Sequence, residues 1–247
     1  IEWRNGYDNL NNANLCLFSL PGVGNIGKAA IDALNSTNEA QEVARLHHTA
    51  LPPLATLDED GLLSPPHLSV KMIQYSDSDC LITITGTSQP LEPNNQGLMA
   101  REILDLLKHN QLSELVVLAG MVDDAARKEI FIVPSSSAYR VDLESRGANV
   151  RRDEPSSGAI GMAALLSSLG PVYGINSACA IATTIGSSGD IIASQNLLTS
   201  IDHWFGLNLV IPKDANKKLI EKLKEISPSN RDDLVAELTQ THDAFYM

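Results

Sequence analysis

Apolar and polar positions recur along this chain with two different periods, and the period decides the element. Residues 14–19 (NLCLFS) form an apolar run of strand length that stops at the Pro21-Gly22 turn. Residues 25–34 place Ile26, Ala29, Ala30, Ala33 and Leu34 on one side at helical spacing. A second strand is expected at 42–49, stopped by Leu51-Pro52-Pro53, with a loop rich in Asp, Gly and Pro over 56–66. Residues 67–75 alternate in part and predict a strand beside the apolar run 79–85. Residues 96–110 carry Leu98, Ile103, Leu104, Leu106 and Leu107 in a helical pattern. Residues 114–119 (ELVVLA) are continuously apolar, as in a central parallel strand buried on both faces, and Gly120 ends the run. Beyond it the pattern predicts a strand at 128–134, helices at 139–146 and 161–169, a short strand at 172–175 and an amphipathic helix at 191–205.

Strands and helices alternate up to about Pro212, the signature of an α/β domain whose mostly parallel sheet is covered on both faces. After Pro212 the composition shifts. Charged amphipathic helices are expected at 214–226 and 230–241, broken by Ser227-Pro228-Ser229, with Asn230 placed as an N-cap before Arg231-Asp232-Asp233. The expected organisation is a core over 1–212 and a C-terminal helical extension over 213–247.

Composition narrows the class. A chain of 247 residues, 43% hydrophobic and 19% charged, is long enough to bury a substantial core. The net charge of −12 repels phosphate backbones, which argues against nucleic acid and suits a basic partner surface. Cys16, Cys80 and Cys179 lie far apart and outside any C-x-x-C pair, so neither a zinc site nor a redox dithiol is signalled. Cys16 and Cys80 sit in apolar runs as small hydrophobes, and a reducing cytoplasm is the expected location. No apolar run reaches the roughly 18 residues that span a membrane. No signal-peptide pattern is present, and the start at Ile1 leaves a trimmed N-terminus open.

The stretch SLPGVGNIGKAAIDAL, residues 19–34, satisfies two nucleotide-binding patterns. Gly22 through Lys28 spell most of a P-loop, but Ala29 stands where a magnesium-ligating hydroxyl is needed. Gly22, Gly24 and Gly27 spell the dinucleotide fingerprint, which also needs an acid at the far end of the next strand. Glu42 sits at the start of that strand, and its end carries His47 and His48. The favoured reading is a tight turn that lets helix pack closely on strand, with Lys28 a solvated first-turn lysine. A helix N-terminus still offers amides to an anion.

Other chemistry is sparse. Adjacent His47 and His48 face opposite sides of a strand, and His67, His109, His203 and His242 lack metal-binding spacing. There is no G-x-S-x-G elbow. The turns Ser156-Ser157-Gly158 and Gly186-Ser187-Ser188-Gly189-Asp190 fit helix caps better than anion cradles. Asp123-Asp124 and Asp58-Glu59-Asp60 fit solvated loop charges. No catalytic residue, metal site or cofactor is predicted.

The chain ends in Phe245-Tyr246-Met247. These residues either fold back onto the core or form a docking peptide, with the aromatics as apolar anchors and the carboxylate as a handle for a lysine or backbone nest.

With these features together, the chain resembles the archaeal and bacterial branch of the second proteasome assembly chaperone family, over about residues 10–212. The matches are Leu20-Pro21-Gly22-Val23-Gly24-Asn25-Ile26-Gly27-Lys28, then Leu51-Pro52-Pro53, Gly86 with Gln89, Gly120, and Ser157-Gly158-Ala159-Ile160-Gly161 opening a helix. One departure is that many relatives carry something like Gly-Glu-Thr where this chain has Ala182-Thr183-Thr184. The resemblance implies a three-layer α/β sandwich similar to nucleoside phosphorylases without their chemistry. It also implies a non-catalytic role in assembling the proteasome α-ring, and a homo-oligomer or pairing with a paralogue. Some proteasome-binding proteins end in hydrophobic–Tyr–any residue inserted between α-subunits, and Phe245, Tyr246 and Met247 match that motif. Ordinary residue usage places such an ending in about one chain in a hundred. The rival readings are a nucleotide- or nucleoside-handling enzyme using Gly22–Lys28, and an oligomer with another client whose tail packs on its own core.

Overall fold

The computed structural model describes residues 1–10, 13–57, 61–76, 78–156, 158–186 and 189–211. In chain order the elements are strands β1 (Glu2–Trp3) and β2 (Ala13–Ser19), helix α1 (Ile26–Thr37), and strands β3 (Gln41–Leu46), β4 (Thr56–Leu57), β5 (Leu63–Ser64), β6 (Leu68–Gln74) and β7 (Cys80–Gly86). Helix α2 (Pro93–His109) follows, then β8 (Glu114–Val122), β9 (Ile130–Pro134), α3 (Ser137–Ser145), α4 (Gly161–Leu169), β10 (Asn176–Thr184) and α5 (Ile191–Phe205).

Eight strands form one sheet in the order β1-β3-β6-β7-β2-β8-β10-β9, and β4 pairs with β5 as a small separate hairpin inside the expected 56–66 loop. The four central strands, β7-β2-β8-β10, run parallel. Antiparallel strands flank them on both sides. Burial on both faces explains the continuous apolar runs of the centre. In β2, Cys16 and Phe18 enter the core under α2 and α4, while Leu15 and Leu17 enter the core under α1, α3 and α5. In β8, Leu115 and Val117 divide from Val116 and Leu118 in the same way. The result is the three-layer α/β sandwich expected from the sequence.

One expected strand is absent and one strand was not expected. Residues 172–175 are not a strand: Gly170–Tyr173 is a 3₁₀ turn with Pro171 in its first turn, closed by Gly174 at φ +78°. The strand is β10, which the apolar pattern missed. Its sequence NSACAIATT is small and poor in β-branched bulk, yet it pairs over nine residues with β8. Its alanines (Ala178, Ala180, Ala182) lie in the core beneath α5, whose Leu197, Ile201 and Trp204 supply the volume.

All three cysteines are free thiols and buried. Among the described residues no helix is long and apolar enough to cross a membrane, and no group of three or more His, Cys, Asp or Glu side chains has a metal-binding arrangement.

Candidate functional site

Neighbouring strands β2 and β8 send the chain away in opposite directions, β2 through α1 towards β3 and β8 towards β9. Such a divergence opens a crevice beyond the carboxyl ends of the strands. A cleft of about 860 Å³ lies there. Phe18, Val117, Cys179 and Ile181 contribute its apolar lining, and Gly22–Val23 and Ile160–Met162 contribute flanking segments. Gln89, Gln96, Asp123, Arg127 and Glu154 add polar groups. Burial pushes the Cys179 thiol up to about 12, which keeps it protonated near neutral pH.

The glycine-rich segment packs as the sequence predicts. Asn25 donates to the Gly22 carbonyl at 2.9 Å, and Gly24 takes φ +60°. A Cβ on Gly27 would lie 2.2 Å from the Leu118 carbonyl oxygen and 2.4 Å from Ser19 Oγ. A Cβ on Gly120 would lie 2.4 Å from the Val23 carbonyl oxygen. These two glycines therefore let the first turn of α1 and the Val23–Asn25 turn before it lie directly on the β8 backbone. The Gly24 carbonyl accepts from the Gly189 amide at 3.1 Å, tying the loop to the segment after β10. Lys28 is not a free solvated lysine: it is half-buried and pairs with Asp32 one turn along.

Arg127 is the one Lys or Arg among the described lining residues of the cleft. It is committed to carboxylates: Asp123 at 2.7 Å, Glu129 at 2.8 Å and both oxygens of Glu154. Arg151 adds a second cation on Glu129 at 2.6 Å. Asp123 is thus an ion-pair partner rather than the solvated loop charge expected. The hydrogen bond from Arg127 is the largest cause holding the Glu129 carboxyl below its ordinary value. A depressed folded-state value stabilises the fold above the unfolded-state pKa and is lost as pH falls through the folded one. Arg127→Met is therefore expected to move the Glu129 titration, followed by carboxyl NMR, upward, though not the whole way because Arg151 still pairs with it. The part of acid destabilisation due to Glu129 then shrinks. An unmoved Glu129 titration would rule this coupling out.

Thr183, in β10, is buried. Its hydroxyl donates to the Arg127 carbonyl and accepts from the Glu129 amide, both at 2.8 Å. It thereby fixes the backbone that carries the carboxylate-bound arginine. Thr184 donates to Asp190, which also caps α5 through the Ala193 amide at 3.0 Å. The 186–190 turn thus does provide a helix cap.

Exposed aliphatic side chains gather on the loops and first helical turns that leave this edge: Val23, Leu91, Val122, Ile160, Ile185 and Ile192. Ile160, at 88% exposure beside the cleft, is the most open of them. Other exposed aliphatics, among them Leu57, Leu63 and Val172, lie away from this edge, and single exposed aliphatics are ordinary; what distinguishes these six is that they border the cleft's end of the sheet together. Sequence periodicity misses the grouping because these residues lie outside the buried faces of regular elements.

His47 and His48 lie beyond the end of β3 rather than on a strand: His47 Nε2 meets Glu2 at 2.8 Å, and His48 Nε2 meets Glu102 at 3.3 Å. Glu42 pairs with Arg45 at 2.9 Å and accepts from Ser69, so it belongs to a local polar network on β3 and β6. Ser157, Ser187, Ser188, Asp58, Glu59, Asp60 and His242 lie outside the described residues, as do Phe245, Tyr246 and Met247.

Comparison with known proteins places this geometry among relatives. The family model described as the PAC2 family matches residues 17–228. The crystal structure of Pyrococcus furiosus PbaA, described as an archaeal homolog of proteasome-assembly chaperone, superposes with a TM-score of 0.74 at 20% identity, covering 98% of each chain. Pyrococcus furiosus PbaB, described as an archaeal proteasome activator, superposes with a TM-score of 0.75 at 20% identity, covering 89% of this chain and 94% of that one. Uncharacterized protein MJ1210 of Methanocaldococcus jannaschii is 21% identical over 184 residues, 74% of this chain and 70% of that protein.

Proposed function

We propose, for a chain that belongs to the PAC2 family, a non-catalytic role as a proteasome assembly chaperone or proteasome-binding factor that docks on α-subunits through Phe245, Tyr246 and the Met247 carboxylate. The observation that carries the reading is a conjunction: the family match over residues 17–228 and a hydrophobic–Tyr–any ending on the same chain. The printed roles of PbaA and PbaB support it from the side of the relatives. The exposed aliphatic edge supports it as a protein-contact surface. The acidic surface supports steering towards lysine-lined pockets, an effect that weakens with salt. The protein would act in the cytoplasm, as a homo-oligomer or with a paralogue.

The test is a pull-down of the organism's proteasome α-subunits with the full chain, a variant lacking residues 245–247, and a variant with one residue added after Met247. The full chain is expected to retain α-subunits, and both variants to lose most of that binding because each removes the anchor or displaces the carboxylate. Equal capture by all three would sink tail docking. No capture by any of them, with stabilisation by ATP, NAD or a nucleoside, would move the assignment to the enzyme reading. A ligand at a hundred times its Kd adds about 2.7 kcal/mol.

A further inference from the structure

A second cavity, of about 280 Å³, lies beside α1 over the β6-β7 part of the sheet and shares no lining residue with the carboxyl-edge cleft. Lys28, the lysine of the P-loop-like pattern, lines this cavity rather than the cleft. The sequence puts a polar stripe here: Lys28, Asp32, Asn35 and Ser36 fall on one face of α1 at i, i+4, i+7 and i+8. On the sheet beneath, Ser69 stands opposite Thr85 and Lys71 opposite Thr83, register partners of β6 and β7. The next pair on the same face, Ile73 and Leu81, belongs to the apolar core that includes α1. The face therefore turns from apolar to polar along these two strands.

Polar groups at this depth need partners, and most of these have one. Thr83 donates to Asn35 Oδ1 at 2.8 Å, and Ser69 donates to Glu42 at 2.9 Å. Glu42 stands opposite Lys71 in the β3-β6 register, but it holds Arg45 instead. Lys28 pairs with Asp32, and His67 Nδ1 donates to the Pro65 carbonyl at 2.8 Å. Two groups are left over. Thr85 is 6% exposed, and its hydroxyl has no hydrogen-bond partner. Lys71 is half-buried and makes no ion pair among the described residues. The described lining thus sets two lysines against one carboxylate, in a chain whose net charge is −12. An uncompensated lysine and an unpaired buried hydroxyl at one cavity suit an anion with several acceptor oxygens.

We propose that this cavity binds a small anion of the phosphate class, free or as a monoester, held by Lys71, Lys28 and the Thr85 hydroxyl. These three groups stand on β6, α1 and β7, so they reach the anion from separate elements, which a phosphate with three or four oxygens can satisfy better than a carboxylate with two. The volume lies just under the roughly 300–1,000 Å³ of sites for drug-sized ligands, which fits a phosphate with a small substituent rather than a nucleotide. The site is independent of tail docking and goes beyond the proteasome reading.

The probes are inorganic phosphate and phenyl phosphate, titrated into the full-length protein and followed by melting temperature and phosphorus NMR line broadening. Both are expected to raise the melting temperature saturably, and potassium chloride at matched ionic strength is expected not to. Tighter binding of phenyl phosphate, which can cover Leu54 and Pro66, would assign the site to a small monoester, and equal or weaker binding to the free ion. Lys71→Gln is expected to keep the melting temperature of the free protein and to bind phosphate about tenfold to a hundredfold more weakly, as loss of a charge-assisted hydrogen bond requires. Thr85→Val is expected to weaken phosphate binding too, yet to raise the melting temperature of the free protein, because it removes a buried hydroxyl that the fold leaves unpaired. Lys108→Gln removes the same charge from α2 beside Tyr173 and should bind phosphate like the parent. Phosphate no more stabilising than chloride, undiminished binding by Lys71→Gln or Thr85→Val, or a fall in the melting temperature of free Thr85→Val would each overturn the assignment.

Discussion

Gly27→Ala is expected to destabilise the protein by about 3 kcal/mol or more, although alanine is the better helix former. Helix propensity alone would favour the alanine by roughly 0.5–1 kcal/mol. The close approach overrides it. The new Cβ would sit 2.2 Å from the Leu118 carbonyl oxygen, a backbone atom of β8. That strand is paired to β2 on one side and β10 on the other, so it cannot move aside without breaking ladders at the sheet centre. Helix α1 must lift instead, opening the core that holds Ile26, Ala30, Ile31 and Leu34. For a domain of this size the expected fall in Tm is roughly 6–12 °C. Gly97→Ala is the control: it lies inside α2 with open space around its Cβ, and should be neutral or stabilising. Thermal unfolding of the two variants decides the matter. A stable Gly27→Ala would mean that the glycine loop is not a packing joint.

Phe18→Ala should cost about 3–5 kcal/mol. Phe18 is fully buried in β2, with Ile84 of β7 and Val117 of β8 as its register partners. Its ring belongs to the core under α2 and α4 and also lines the carboxyl-edge cleft. Truncation leaves a void between the sheet and helices α2 and α4, where neighbours held by the strand ladders collapse only partly. Phe18→Leu should cost distinctly less because it keeps most of the volume. Urea denaturation provides the measurement, and a midpoint for Phe18→Ala within error of the parent would show that the cleft floor carries little of the fold's stability.

The central elements were legible because their burial is uniform. NLCLFS and ELVVLA are buried on both faces, so each reads as an apolar run without needing to know which helix covers which side. The helix at Gly161–Leu169 matched its expected bounds, and α1 began one residue later than expected. β10 was illegible for the opposite reason. Its small residues are chosen by the helices above them rather than by strand propensity, so NSACAIATT carries no period that isolates it. The site divides in the same way. The glycine spacing was visible, and its packing role followed from what the flanking residues lack. The Arg127 network was not, since Glu154 reaches Arg127 from 27 positions away.

The sequence by itself determined the α/β class, the two-faced burial of the central strands and the packing character of the Gly22–Lys28 turn. Each of these depends on local composition or on a period within a few residues. Only the tertiary structure decided the strand order, the cleft between β2 and β8, the carboxylates gathered on Arg127 and the aliphatic edge. Those features join residues from separate elements, and their energies depend on distances that no pattern along the chain specifies.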